Sequence, residues 1–273
     1  MEKFANYISK IEIQSLWSGH KHVVWELRPD VNILSGVNGV GKSTILNRII
    51  SQVRHRTDEL RNGALPGVHV EFSPADATGI HFDIIRSFDS QLIPGSILSK
   101  IGDDGVRSEL DWRLYELQRR YLDYQVNVGN RMIALLTSGA PNAQAEATKV
   151  AQAKTQFQDY VDELFATTQK TIDRTSNELR FTQWGEQLSL YKLSSGEKQL
   201  LVILLTVLLQ DCQPYVLFMD EPEVSLHIEW QERLINLVRD MNPNVQIILT
   251  THSPAVVMNG WADAVTEVSD ITQ

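Results

Sequence analysis

The chain has 273 residues, of which 42% are hydrophobic and 22% are charged, and its formal net charge is −9. This length allows one large domain or two small ones with a full core, and the acidic balance argues against nucleic acid coating the whole surface. Apolar runs are shorter than the roughly 20 residues that a membrane span needs, no signal peptide is recognisable, and the single Cys212 excludes an internal disulfide. We expect a globular protein of the reducing cytoplasm, without a membrane partner.

The first ninety residues predict an α/β arrangement with an antiparallel layer. Apolar residues alternate with polar ones in four segments, and a fifth, Val31–Leu34, is apolar except for Asn32 and runs into a glycine-rich loop. Isoleucine and valine then recur at helical spacing over Thr44–Val53. The alternating strands are predicted at Tyr7–Leu16 and His22–Leu27 and, as a further strand pair, at Gly67–Phe72 and Ile80–Phe88.

The middle of the chain has a different pattern. From Glu109 to Thr137 apolar residues follow the alternation of three and four that is typical of a coiled-coil seam. The pattern resumes over Ala147–Leu164 after the turn residues 138–142, with Lys154 interrupting the seam. We predict an inserted antiparallel helical hairpin within residues 103–172, with arms of about 28 residues that are roughly 40 Å long. Two amphipathic helices lying on the domain are the alternative.

The last hundred residues predict a parallel sheet, because strands that are apolar on both faces alternate with helices. A strand hairpin is expected first, at Glu178–Phe181 and Gln187–Leu190. The elements predicted after it are a helix at Lys198–Leu209, a strand at Tyr215–Met219, a helix at Ile228–Met241 and a strand at Val245–Thr250. We therefore predict one α/β domain over residues 1–273, with the hairpin inserted.

The loop Gly36–Ser43 matches the phosphate-binding pattern G-x-x-x-x-G-K-[ST] between a strand and a helix. Its glycines allow the backbone N–H groups to converge on one phosphate, and the helix that follows offers its positive N-terminus. Lys42 is expected to reach the β- and γ-phosphates of ATP, and Ser43 to bind Mg²⁺. The nucleotide-binding residues predicted here are Gly36, Asn38, Gly39, Val40, Gly41, Lys42, Ser43 and Thr44.

Two further motifs lie downstream. The strand Tyr215–Met219 is followed by Asp220, a candidate Mg²⁺ ligand, and by Glu221, a candidate for orienting or deprotonating the attacking water. Ser194 and Glu197 open a helix as a capping box, and this structural role is sufficient by itself. The same helix start also offers N–H groups to an anion.

At this point the chain resembles the ABC-type ATPases of the SMC/Rad50/RecF/OLD-like group. The resemblance covers about residues 1–90 and 175–260. It depends on four segments in the order of the P-loop, signature, Walker B and H-loop motifs of that group, and these are Gly36–Ser43, Leu193–Gln199, Asp220 with Glu221, and Leu249–Ser253. One departure is Ser195, which stands where the commoner signature has a second glycine.

The resemblance implies an ABC-ATPase head with P-loop NTPase topology, which forms head-to-tail homodimers around ATP. Ser194, Gly196 and Glu197 of one subunit would serve the nucleotide on the other, and His252 would contact the γ-phosphate. Glu223, Val224 and Ser225 would form the D-loop at the dimer seam. Gln91 is the candidate Q-loop ligand of Mg²⁺, with an ordinary surface glutamine as the alternative. The turn around Trp17, His20 and His22 is a candidate neighbour of the adenine.

These motifs define the reaction better than they define the biological role of ATP hydrolysis. Our first hypothesis is an ATP-driven switch that controls an effector, such as a nuclease or toxin, in bacterial antiphage defence. A DNA-repair ATPase of the RecF or Rad50 type is the second, with the basic run Arg54, Arg56 and Arg61 as the best local candidate for nucleic-acid contact. A transporter subunit is the third. The histidines outside the motifs lack metal-ligand spacing.

Overall fold

The computed structural model describes residues 3–17, 19–57, 66–86 and 106–273. Its N-terminal elements are β1 (Phe4–Ala5), β2 (Tyr7–Leu16), β3 (Lys21–Glu26), β4 (Val31–Ser35), α1 (Lys42–Thr57), β5 (Val68–Ser73), β6 (Gly79–Ile80) and β7 (Phe82–Arg86). The elements that follow are α2 (Glu109–Thr137), α3 (Ala143–Leu164), β8 (Lys170–Ile172), β9 (Arg180–Gln183), β10 (Glu186–Ser189), α4 (Ser195–Leu208), β11 (Tyr215–Asp220), α5 (Ile228–Met241), β12 (Val245–Thr250), α6 (Pro254–Met258) and β13 (Val265–Glu267). Two compact units result, of which the first comprises Met1–Ser87, Cys212–Val224 and Gln231–Gln273, and the second Phe88–Asp211 and Ser225–Trp230.

The centre of the first unit is a parallel sheet with the strand order β13-β4-β12-β11-β7. Its strands β4, β11 and β12 are almost entirely buried, as predicted for strands covered on both faces. A second sheet, β3-β2-β5, is antiparallel, and helix α1 shares one hydrophobic core with it. This arrangement confirms the predicted α/β fold, and it brings the carboxyl ends of β4, β12 and β11 to the same edge.

One predicted strand pairing is wrong. The segments that contain β5 and β7 do not pair with each other, since β5 pairs with β2 in the antiparallel sheet and β7 pairs with β11 in the parallel sheet. Between them the chain turns at Pro74–Ala77 and forms β6, which pairs with β1. The turn and the short strand β6 therefore connect β5 in the antiparallel sheet to β7 at the edge of the parallel sheet.

The second unit contains the predicted helical hairpin. Helices α2 and α3 run antiparallel, because the ring of Tyr121 lies 6.3 Å from that of Phe157 while Gln125, one turn further on, accepts a hydrogen bond from Lys154 at 2.6 Å. Lys154 thus remains in the seam by bonding across it. The arms differ in length, with 29 residues in α2 and 22 in α3. The second arm is shorter than predicted, since a 3₁₀ turn follows it and Gln169 adopts a left-handed conformation before β8.

The base of the hairpin is not free of the rest of its unit. The predicted seam pairs the two helices with each other, yet both helices also contact α4, the helix that begins in the signature motif. Asp111 at the start of α2 forms a salt bridge of 2.7 Å with Lys198 of α4. Beyond Val128 no residue of α2 is buried. At its base the hairpin therefore consists of two amphipathic helices that pack on α4. Its distal part follows the predicted seam between the two helices.

Among the residues described, no helix is both long and apolar enough to cross a membrane.

Candidate nucleotide site

The phosphate-binding loop connects β4 to α1 at the carboxyl edge of the parallel sheet. Gly39 and Gly41 have φ angles of 80° and 103°, a region that side chains with a Cβ rarely adopt. At Gly41 a Cβ would also lie 2.4 Å from the indole ring of Trp17. The glycine spacing of the motif is therefore required by the backbone conformation and by the packing of one aromatic ring.

Lys42 is buried at the centre of this loop, with only 4% of its surface exposed. Its ammonium group donates hydrogen bonds to the carbonyl oxygens of Gly36 at 3.0 Å and Val37 at 3.3 Å. It also lies 2.5 Å from Nε2 of His252, which comes from the end of β12. The two carbonyl groups are neutral, and so is His252 when it is unprotonated. Among the described residues, the ammonium group of Lys42 therefore has no direct contact with a carboxylate.

Burial and nearby charges act in opposite directions on Lys42. Burial lowers the pKa of Lys42, and the carboxylates of Glu221, Asp220 and Glu223 oppose that shift. A buried ammonium group without a bonded counter-ion is costly. A phosphate group would give this ammonium group a directly bonded counter-ion.

Asp220 ends β11, next to β12, and its carboxylate is in contact with the phosphate-binding loop. Its Oδ1 accepts a hydrogen bond from Ser43 Oγ at 2.9 Å and another from Thr250 Oγ1 at 2.6 Å. The two predicted Mg²⁺ ligands, Ser43 and Asp220, are thus adjacent. This pair of oxygens suits Mg²⁺, which is usually held by one or two protein groups together with waters and substrate phosphates.

Glu221 and His252 lie on the solvent side of the same edge. Glu221 has a φ of 48°, and its N–H group donates to the carbonyl oxygen of Thr250 at 3.1 Å and to the Oγ1 of that residue at 3.2 Å. One carboxylate oxygen of Glu221 is 3.3 Å from Nε2 of His252. The two predicted catalytic side chains are therefore neighbours, and both remain partly open to water.

A cavity of about 550 Å³ lies over these groups. It is lined by Trp17, Asn38, Gly39, Gly41, Lys42, Ser43, Thr44, Glu221 and His252. Of the residues suggested near the adenine, Trp17 lines the cavity, whereas the ring of His22 is bonded to Glu12 at 3.1 Å. The structure thus brings together the P-loop, Walker B and H-loop residues from three separate parts of the sequence.

The signature residues belong to the second unit. Ser194 caps α4, and its side chain and that of Glu197 form the predicted capping box. The Glu197 carboxylate is 1% exposed and also accepts bonds from Lys170 at 2.7 and 2.9 Å and from Thr168 at 2.9 Å. Its oxygens are fully used inside the fold. The Glu197 side chain thus holds the start of α4, and its contact with a nucleotide stays a prediction.

Burial and hydrogen bonding act in opposite directions on Glu197. Burial alone would raise the pKa of its carboxyl group, but the bonds from Lys170, Ser194 and Thr168 outweigh this effect and the pKa is lowered. Gly196 is constrained as well, because a Cβ there would lie 2.4 Å from the carbonyl oxygen of Ser225. The signature segment is thus tightly packed within its own unit.

Among the remaining predicted residues, some lie outside the part of the chain that the structure describes. Gln91, the candidate Q-loop ligand, and Arg61 of the basic run lie outside the described residues. Glu223, predicted at the dimer seam, is 7% exposed and faces the end of β12, whereas its neighbour Val224 is 44% exposed. The sequence assigned no separate role to Thr250, whose hydroxyl donates to Asp220; its only signal was its place within the H-loop segment Leu249–Ser253.

Comparisons with known proteins agree with this geometry. A family described as "AAA domain, putative AbiEii toxin, Type IV TA system" matches residues 145–259, less than half of the chain. The "Retron Vc95 probable ATPase" of Vibrio cholerae serotype O1 biovar El Tor is 30% identical over 115 residues, which cover 38% of this chain and 22% of that protein. The "Septu protein PtuA" of Bacillus thuringiensis is 44% identical over 48 residues, or 18% of this chain and 12% of that protein. The matches thus span less than a quarter of either relative's length.

Among solved structures, an Smc head bound to the C-terminal winged-helix domain of ScpA is similar to this chain with a TM-score of 0.52 and 13% identity. The likeness covers 93% of this chain and 91% of that one, and at this identity it concerns the fold. The fold, the order of the motifs and the similarity to a protein named as an ATPase agree. The chain therefore has the fold of an Smc head, and over part of its length it is similar to a protein named as an ATPase.

Proposed function

We propose that this ATPase is a Mg²⁺-dependent switch, which dimerises head to tail around ATP and thereby controls a protein effector in bacterial antiphage defence. The observation that carries the proposal is the convergence of Lys42, the Ser43–Asp220 pair, Glu221 and His252 around one cavity. The names of the retron and Septu relatives support the defence role, and the ScpA-bound Smc head supports a protein partner.

Each side chain has a defined part in the reaction. Lys42 binds the β- and γ-phosphates in place of its present carbonyl and histidine partners, while Ser43 and Asp220 hold Mg²⁺. When bound, the metal neutralises charge that develops on the transferred phosphoryl group. Glu221 orients or deprotonates the attacking water, and His252 donates a hydrogen bond to the γ-phosphate.

The reaction is tested with Glu221→Gln, which keeps the shape of the side chain and removes its basicity. We expect ATP to bind with unchanged affinity while hydrolysis slows by roughly 10²- to 10⁴-fold. The variant should accumulate as an ATP-bound dimer in size-exclusion chromatography with light scattering. Wild-type turnover in Glu221→Gln would refute the role of this carboxylate.

Dimerisation is tested at Ser194, which is exposed at the start of α4. Ser194→Arg places a bulky cation at the proposed seam and should abolish the ATP-dependent dimer while the monomer still binds ATP. Ser194→Ala is the comparison variant, because it removes the hydroxyl, and with it the cap, without adding bulk or charge, and it should cost about 1 kcal/mol of stability. If both variants dimerise like the wild type, the signature does not act across subunits.

The distal hairpin is the proposed attachment site for the effector. Val126, Ile133 and Leu136 are 61%, 62% and 51% exposed and recur at helical spacing on α2. Since the base of the hairpin packs on α4, deletion of residues 107–170 would damage the fold. Replacement of residues 133–148 by a short Gly/Ser turn should instead preserve ATP binding and abolish co-purification with products of the neighbouring genes. Retained co-purification would place the partner elsewhere, and salt-dependent DNA binding by the wild type would favour a DNA-repair role.

A further inference from the structure

A buried carboxyl group lies three residues beyond the Mg²⁺ ligand Asp220 and has no part in the reaction described above. It belongs to Glu223, which is 7% exposed. Its Oε1 accepts a hydrogen bond from Thr251 Oγ1 at 2.5 Å and another from the backbone N–H of His252 at 3.1 Å. Glu223 therefore binds the loop that carries His252 at its first two residues.

The contacts of Glu223 close into a ring. The N–H group of Ser253 donates to Thr251 Oγ1 at 2.9 Å, and Ser253 Oγ donates to Gln231 Oε1 at 2.6 Å. The amide nitrogen of Gln231 in turn lies 3.4 Å from the carbonyl oxygen of Glu223. The backbone and the side chain of Glu223 are thus both bonded to the His252 loop, directly on one side and through Gln231 on the other.

The backbone around Glu223 shows why such an anchor is needed. Glu221 and Ser225, which flank it, have φ angles of 48° and 71°, in the left-handed region that residues with a Cβ rarely adopt. Such conformations persist only where surrounding contacts enforce them. Thr250 holds the N–H group of Glu221, and Glu223 is the next side chain to hold this segment.

We propose that Glu223 is a positioning residue, which fixes the His252 loop against the segment that carries Glu221 so that the two side chains keep one geometry. This inference rests on the proposed function, since it concerns the same site. In the structure, His252 Nε2 lies 3.3 Å from Glu221 and 2.5 Å from Lys42. A shift of the loop would change both distances together.

The proposed role depends on hydrogen-bond acceptance by Oε1. The second carboxylate oxygen, Oε2, is buried and has no hydrogen-bond partner among the described residues. Glu223→Gln therefore retains the acceptor that Thr251 and His252 use, whereas Glu223→Ala removes it. If the negative charge mattered instead, through its effect on Lys42, the glutamine variant would be impaired as well.

The first test measures amide hydrogen exchange by mass spectrometry over residues 250–254, without nucleotide. We expect exchange at His252 to be at least tenfold faster in Glu223→Ala than in the wild type, and unchanged in Glu223→Gln. Unchanged exchange in Glu223→Ala, or equally fast exchange in both variants, would overturn the proposal. If Glu223→Ala does not fold, Thr251→Val replaces it, with Thr251→Ser as the control that keeps the hydroxyl.

The second test is a double-mutant cycle on ATP turnover with Glu223→Ala and His252→Ala. If Glu223 acts through His252, each single variant should lower kcat by a similar factor, of the order of 10²-fold, with little change in KM. The double variant should then be no slower than the slower single variant. If the double variant instead lowers kcat by the product of the two single factors, the inference is contradicted. A wild-type protein without ATPase activity would instead refute the proposed function, and the exchange test would still decide whether Glu223 holds the loop.

Discussion

Each unit contains a lysine whose side chain has little exposure to solvent, but the two lysines have different partners. Lys42 donates to two backbone carbonyl groups and a histidine, whereas Lys170 forms two bonds to the buried carboxylate of Glu197. The charge of Lys170 is therefore neutralised inside the fold, and that of Lys42 is left for a ligand. Burial of a lysine does not by itself indicate a binding site; the nature of its partners does.

The largest effect on stability is expected from a change at Lys170. Lys170→Met leaves the carboxylate of Glu197 buried without its cation, and loss of one partner of a buried pair costs about 3–5 kcal/mol. We expect that loss in the free energy of unfolding measured with urea. The double variant Lys170→Met with Glu197→Gln removes both charges and should recover part of it. A single variant as stable as the wild type would show that the pair does not stabilise the second unit.

The matching change in the first unit should affect binding and not folding. Lys42→Met removes the cation that serves the phosphates, and we expect a loss of about 2–5 kcal/mol of ATP-binding free energy in calorimetry. Its stability without nucleotide should stay close to that of the wild type or rise, since a desolvated charge is removed. Unchanged ATP affinity in folded Lys42→Met would contradict the assignment of the phosphate-binding loop.

A smaller effect is expected at Thr250, which orients Asp220 without serving the ligand. Thr250→Val keeps the shape of the side chain and removes its hydrogen bond to the carboxylate, which is worth about 1.5–3 kcal/mol for a charged acceptor. The variant should need a higher Mg²⁺ concentration for half-maximal ATP binding in titrations. Thr250→Ser is the control that keeps the hydroxyl, and equal Mg²⁺ requirements in both variants would exclude the orienting role.

The smallest effect is expected from a change of pH, which alters the stability of the second unit. The pKa values of Glu197 and Asp111 lie below their ordinary values of 4.5 and 3.8. A lowered folded-state pKa contributes stability that is fully present above the ordinary value and is lost as the pH falls through the folded value. We therefore expect the unfolding free energy to decline below about pH 4.5. The decline should be shallower in the double variant Lys170→Met with Glu197→Gln.

Much of the nucleotide site could be predicted because its parts are local. The phosphate-binding loop is a contiguous run whose glycines serve the backbone directly, and Asp220 follows the last residue of a visibly apolar strand. The helix α2 also begins and ends where the apolar periodicity does. In each case the residues that specify the structure are close together in the chain.

Long-range pairing could not be predicted in this way. The partner of Glu197 is Lys170, 27 positions away, and that of Glu223 is Thr251, 28 positions away. Neither pair belongs to a motif or to a shared periodicity. The strand β7 likewise has the same alternating pattern whether it pairs with β5 or with β11.

The sequence alone determined which residues are chemically able to bind phosphate and Mg²⁺, since glycine conformation, lysine charge and a strand-end carboxylate follow from residue type and order. The tertiary structure decided which of the charged side chains are free to contact a ligand and which are paired inside the fold. Glu197 and Glu221 are both acidic side chains in recognisable motifs, yet one is buried against Lys170 and the other faces a cavity beside His252. That difference arises because solvation and ion pairing depend on distances in space, which local sequence patterns do not specify.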